Sequence, residues 1–199
     1  MPAAAQEEKR RQIMEAAVRA FARKGYHACR VGEIAEEAGV AYGLVYHYFG
    51  SKEEVLESIF RDTWTQMIAR IDEVAESGEP ANEQVRKVTA LLLRTWRRDP
   101  DLVRVLVREV TRSPEQMRRQ IDEIGHAYNA LEQIIANGQR TGEFRDDLDP
   151  VIASTIFYGA LEEVLTAWVM GQLPDGDEDI AKAEQDVTGL LCDGLAKRS

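Results

Sequence analysis

Residues 31–49 read Val31-Gly-Glu-Ile-Ala-Glu-Glu-Ala-Gly-Val-Ala-Tyr-Gly-Leu-Val-Tyr-His-Tyr-Phe49. This is a short helix, a turn carrying one glycine, and a second short helix. Val31, Ile34, Ala35 and Ala38 recur at helical spacing and make one apolar face. Ala35 is small where two crossing helices must approach closely, and Gly39 permits the positive φ of a tight turn. Val40 starts the next element as a core residue. Val45 and Phe49, four apart, point inward together and leave Tyr42, Gly43, Tyr46 and His47 on other faces. A helix-turn-helix has this layout, and its second helix enters the major groove with its N-terminal residues at base edges.

Working outward, almost every segment of the 199 residues carries a helical period. A first helix is expected over 7–24, with Ile13, Ala17, Ala20 and Phe21 as its stripe and Gly25 as its stop. Helices follow over 31–38 and 42–49. Ser51-Lys-Glu-Glu reads as a cap with acidic residues in the first turn, opening a long helix to about 77. Further helices are expected over about 81–98, 101–112, 115–140, 150–171 and 178–196, with Pro100, Pro114 and Pro150 marking starts. No alternating β-branched run is present, so the fold class is all-α. The domain division is expected at residue 50: 1–50 as the helix-turn-helix domain and 51–199 as a helical bundle.

Composition narrows the function. The formal charge is −10, yet residues 1–52 carry +2 and residues 53–199 carry −12. The two parts therefore meet different electrostatic demands. Cys29 and Cys192 lie far apart with no CxxC spacing, which argues against a disulfide scaffold or a cysteine-based zinc site. The N-terminus has no apolar h-region, and Glu162 and Glu163 interrupt the longest apolar stretch, so a cytoplasmic protein without a membrane partner is expected. His27, His47, His126 and Cys29 could in principle supply catalytic groups. With no HExxH, GxSxG, P-loop or dinucleotide fingerprint, the expectation is that the chain is not an enzyme and needs no cofactor.

The run from Ile13 to Ile59 resembles the DNA-binding domain of TetR-type transcriptional regulators. The resemblance is carried by Ile13, Ala16, Ala17, Phe21, Gly25, Tyr26, Val31, Ile34, Ala35, Ala38, Gly39, Val40, Gly43, Val45, Tyr46, Tyr48, Phe49, Lys52, Glu53 and Leu56. Outside that run it rests on size, helix count and the joint Gly142-Glu-Phe-Arg-Asp-Asp-Leu-Asp-Pro150. It implies a homodimer of all-α protomers, each with a three-helix DNA-binding domain and a C-terminal domain of about six helices. That larger domain would bind a small-molecule effector and dimerise through the last two long helices. Ligand binding would then release a palindromic double-stranded DNA operator, making the protein a repressor. Within the family the N-terminal stretch is most similar to regulators of fatty-acid metabolism, which sense acyl-CoA thioesters.

The resemblance and the physics of phosphate and base contacts together nominate DNA-binding residues. They are Arg30, Ala41, Tyr42, Gly43, Tyr46, His47 and Lys52. Tyr42 and His47 are candidates for base-edge or sugar contacts, Tyr46 and Lys52 for phosphate, and Gly43 for close approach of the helix N-terminus. Lys9, Arg10 and Arg11 could flank the site, although a solvated face is the plainer reading. Tyr48 either packs on the domain core or donates its hydroxyl to a phosphate oxygen. Cys29-Arg30 stands where relatives often have a Thr or Ser cap, and Gly32 replaces a residue that is often basic in them.

The C-terminal part is less explicit. Trp64, Met67, Trp96, Tyr128, Phe157 and Trp168 are candidates for lining an effector pocket, as aromatics between bundle helices do, and equally for plain core. Arg104 and Arg108, four apart, either anchor an anionic ligand or bridge to neighbouring carboxylates such as Glu109. Small and apolar residues along 150–171 and 178–196 suit a two-fold four-helix seam. The alternative function is a helical protein-interaction module that uses the helix-turn-helix scaffold for a protein partner.

Overall fold

The computed structural model describes the backbone of residues 3–110 and 114–196, and the side chains of 4–109 and 125–196. Nine helices run through the described residues: α1 (Ala3–Lys24), α2 (Val31–Glu37), α3 (Tyr42–Phe49), α4 (Lys52–Ala75), α5 (Ala81–Arg98), α6 (Pro100–Val110), α7 (Pro114–Thr141), α8 (Pro150–Val169) and α9 (Asp177–Leu195). Their only β feature is an isolated bridge between Phe144 and Ala196. The expected helix ends agree to within a few residues, except that α1 begins four residues earlier. The expected end of α6 at residue 112 lies outside the described residues.

The chain divides into two compact units. Unit 1 comprises residues 1–64 and 101–114, and unit 2 comprises 65–100 and 115–199. The packing division therefore falls inside α4 rather than at residue 50. α6 belongs to unit 1 because Val105 is buried in its core and Leu102 and Leu106 pack against it.

Unit 1 is built on a shared apolar centre. Ile13, Ala16, Ala17, Ala20 and Phe21 of α1 meet Val31, Ile34 and Ala35 of α2, Val45 and Phe49 of α3, and Val55, Leu56, Ile59 and Phe60 of α4. The turn between α2 and α3 closes on Gly39, whose φ of 62° is left-handed and favours glycine. The Val40 N–H then donates to the Ala35 carbonyl at 2.9 Å. Ser51 caps α4 by accepting from the Glu54 N–H at 3.1 Å, as its sequence suggests.

In unit 2, α5 packs with α8 and α9. Its core holds Val85, Val88, Leu92, Leu93 and Trp96 of α5, Leu131, Ile134 and Ile135 of α7, Phe157 and Leu161 of α8, and Ile180 and Leu195 of α9. The joint at 142–150 ties these helices together. The Glu143 carboxylate caps α5 by accepting from the N–H groups of Ala81 and Asn82 at 3.1 and 3.3 Å. The Arg145 N–H donates to the Leu195 carbonyl at 2.8 Å. Asp149 caps α8, accepting from Val151 and Ile152, with Pro150 in the first turn.

Phe144 fills a notch at Gly138. A Cβ there would sit 2.3 Å from the phenyl ring and 2.8 Å from the Cβ of Ala81, whereas one at Gly125 on the same helix would meet nothing within 4 Å. Two substitutions on α7 should therefore act in opposite directions. Gly138→Ala should destabilise the protein by about 1–3 kcal/mol through overpacking. Gly125→Ala should stabilise it by about 0.4–1 kcal/mol by reducing unfolded-state freedom. Urea unfolding midpoints measure both.

Candidate nucleic-acid interface

α3 has eight residues, too few to persist alone in water, so its orientation comes from its buried anchors. Val45 and Phe49 are almost wholly buried, and Tyr48 packs part-buried on the same core. Of the two roles open to Tyr48, the structure favours the packing one. Ala41, Tyr42, Gly43, Tyr46 and His47 are all exposed. The Tyr42 and Tyr46 side chains lie edge to face with centroids 5.2 Å apart, and their hydroxyls are 3.2 Å apart. The Tyr42 ring passes over Gly32 of α2, where a Cβ would lie 3.8 Å from it in ordinary contact. Hydrogen bonding to Tyr42 raises the Tyr46 hydroxyl above its usual acidity range. The exposed face of α3 thus offers two phenol hydroxyls, an imidazole and a bare backbone at Gly43.

Arg30 precedes α2 and cannot cap it with its side chain, because a guanidinium has no acceptor. Glu33 replaces half of the missing cap: its carboxylate accepts from the Arg30 N–H at 2.8 Å. The Arg30 side chain is exposed and makes no ion pair among the described residues.

The remaining cations of unit 1 are mostly committed to internal partners. Arg10 meets Asp62 at 2.9 Å and lies over the Phe49 ring. Arg11 is clamped by Glu8 and Glu15. Arg19 and Arg23 share Glu37, and Lys24 pairs with Glu33. The solvated-face reading of the 9–11 cluster therefore fits better than a DNA arm. Lys52 departs furthest from expectation. Its ammonium donates to the carbonyls of Tyr26 at 2.7 Å and Cys29 at 2.8 Å, with His27 at 3.5 Å, and stands 4.4 Å from the Tyr26 ring centroid. Those contacts turn the ammonium onto backbone and an aromatic ring of its own unit.

The effector candidates fall into both units. Trp64, Arg104 and Arg108 belong to unit 1. Trp64 packs half-buried on its core, with no partner for the indole N–H among the described residues. Arg104 pairs with Asp101 at 2.8 Å, one turn back on its own helix, and Arg108 is exposed. Met67, Trp96, Tyr128, Phe157 and Trp168 belong to unit 2. Trp96 and Trp168 are buried and stack with centroids 6.2 Å apart, and Phe157 is fully buried. The Trp168 indole donates to the Pro174 carbonyl at 3.1 Å. Those three are core in this structure. Tyr128 instead meets a residue that sequence reasoning missed, Tyr158, at 4.9 Å between centroids. Burial pushes the Tyr158 hydroxyl well above its ordinary range, and desolvation raises the Glu162 carboxyl one turn further along α8.

An all-α chain that presents a short, glycine-turned helix with its polar face outward has the layout of a helix-turn-helix DNA-binding protein. The comparisons agree. Residues 13–59 match the family described as bacterial regulatory proteins, tetR family, and residues 60–194 match the YsiA-like protein, C-terminal region. The chain is 34% identical over 185 residues to a fatty acid metabolism regulator protein of Bacillus subtilis (strain 168), covering 92% of this chain and 94% of that one. The crystal structure of a transcriptional regulator FadR from Bacillus subtilis in complex with stearoyl-CoA superposes with a TM-score of 0.80 at 30% identity, covering 92% of this chain and 98% of that one. FadR from Bacillus halodurans gives 0.83 at 29% identity, covering 96% and 97%. The chain belongs to the tetR family and is a DNA-binding transcriptional regulator, not an enzyme. Among the described residues, no helix is long and apolar enough to cross a membrane.

The ion pairs of α2 make a pH prediction. Hydrogen bonds from Lys24 and then from the Arg30 N–H hold Glu33 below the usual carboxylate range, and those from Arg19 and Arg23 do the same for Glu37. A lowered folded-state pKa stabilises the fold above the unfolded value of about 4.3 and is lost as pH falls through the folded value. Urea midpoints of the wild type should therefore decline on acidification from about pH 5 toward 3. The double variant Glu33→Gln/Glu37→Gln should start lower near neutrality and decline less.

Proposed function

We propose that this chain is a cytoplasmic repressor that binds a palindromic operator as a homodimer and is released by an acyl-CoA thioester. The exposed polar face of α3, held outward by Val45 and Phe49, carries this reading. On it, Ala41, Tyr42, Gly43, Tyr46 and His47 meet the major groove and Arg30 meets a phosphate. Residues 1–50 read DNA, and residues 51–199 bind the effector and dimerise.

The dimer is supported by what a single chain leaves uncovered. Ile152 and Ile156 on α8 and Leu190 on α9 are 58%, 61% and 77% exposed. Gly159 lies exposed one turn beyond Ile156, where a partner backbone can approach. An aliphatic face of this kind on a soluble chain marks an interaction surface. A two-fold seam through α8 and α9 also fits the need for two recognition helices roughly 34–36 Å apart. Ile156→Glu should halve the mass seen by sedimentation equilibrium and abolish tight operator binding. A variant that stays dimeric would refute the seam.

The effector class is supported by the near full-length likeness to a fatty acid metabolism regulator and to the FadR structure that holds stearoyl-CoA. Met67, Tyr128 and the newly found Tyr158 of unit 2 are the lining we assign to the acyl chain. Binding to a duplex from immediately upstream of its own coding region, measured by fluorescence anisotropy, tests the whole reading. Salt-sensitive preference over random DNA is expected, and stearoyl-CoA should dissociate the complex while acetyl-CoA should not. At 100 times its dissociation constant, stearoyl-CoA should add about 2.7 kcal/mol to folded-state stability. No preference for the upstream duplex would overturn the repressor assignment, and release without regard to chain length would overturn the effector class.

A further inference from the structure

Lys52 stands where charge is least welcome. It is the first residue of α4, at the positive end of the helix dipole, where a cation is disfavoured. The side chain turns back to the other end of α1. Its ammonium lies on the carbonyls of Tyr26 and Cys29, reaches that of His27, and faces the Tyr26 ring. These groups form the turn that follows the C-terminus of α1, where a cation is favoured.

The consequence is geometric. The 26–29 turn leads directly into α2, which carries α3 through the Gly39 turn. Within the turn, Cys29 donates its N–H to Gly25 and buries its side chain, and the Tyr26 ring meets Phe21 edge to face at 5.3 Å. One ammonium with three donors joins this turn to the start of α4, a helix that shares one core with α2 and α3. Hydrogen bonds to a charged group are stronger than those between neutral groups, and the aromatic face adds a further attraction.

We infer that Lys52 is a positioning residue for DNA recognition: it fixes the α1–α2 turn against the start of α4, and so the aim of the recognition helix, without neutralising a phosphate. The inference rests on the DNA-binding function of the chain, but its first test needs no DNA. In the free wild-type protein, Lys52 should react with an amine-acylating reagent far more slowly than the exposed Lys182, as read from peptide masses, and a duplex should not change that ratio. Lys52 reacting as fast as Lys182 in the free protein would overturn the inference, whether or not DNA then protects it.

The second test separates aiming from contact and from simple stabilisation. Lys52→Met and Arg30→Gln are compared with wild type on the upstream duplex and on a random-sequence duplex, across salt concentrations and well below the melting temperature. A lost phosphate contact lowers the slope of log affinity against log salt by about 0.9 per protomer. Arg30→Gln should show that drop with unchanged Tm. Lys52→Met should keep the wild-type slope, melt several degrees lower and lose discrimination between the two duplexes several-fold. A fallen slope with unchanged Tm, or a fallen Tm with discrimination intact, would each overturn the inference. Should Lys52→Met not fold, the acylation ratio decides alone. Should even the wild type fail to prefer the upstream duplex, the repressor assignment fails while the acylation result still stands or falls by itself.

Discussion

The burial of Val45 and Phe49 is the constraint on which the rest of the molecule depends. An eight-residue helix has too few hydrogen bonds to offset its own nucleation. Two apolar side chains, one turn apart, hold it to the α1–α2–α4 core. That attachment leaves the opposite side of the helix nothing to do for the fold. Tyr42 and Tyr46 can therefore stay more than two-fifths exposed without cost to the core. Recognition chemistry is separated from folding chemistry by the angle between two faces of one short helix.

How much was legible in the sequence follows from how local each determinant is. The helices were readable because periodicity, Gly stops and Pro starts are all written within a few residues of the feature they set. Gly39 and Val45 announced the turn and its helix for the same reason. The boundary of the compact units was not readable, because whether α6 joins unit 1 is decided by Val105 meeting side chains many residues away. The joint at 142–150 could be picked out as a pattern. Its reasons required partners distant in the chain: the α5 N-terminus for Glu143, the Gly138 notch for Phe144 and the end of α9 for Arg145.

Side-chain commitments were the least legible part of the site. Lys52 looked like a phosphate ligand because its position in the motif says nothing about three carbonyls more than twenty residues earlier. The solvated-face reading of the α1 cluster was legible from Glu7 and Glu8 beside it, but not the more distant partners, such as Asp62 for Arg10 and Glu37 for Arg19. Trp96 and Trp168 could have lined a pocket, yet their mutual stacking makes them core. The Tyr128–Tyr158 contact joins two helices and has no signature in either one.

The internal pairing of the cations bears on life in a cell crowded with chromosome. Indiscriminate adhesion to nucleic acid scales with the number of lysines and arginines able to displace condensed counterions. A regulator whose arginines already face glutamates adheres weakly to the millions of irrelevant sites a genome presents. Fewer copies should then be held by bulk DNA, leaving a larger share of the pool for the specific site.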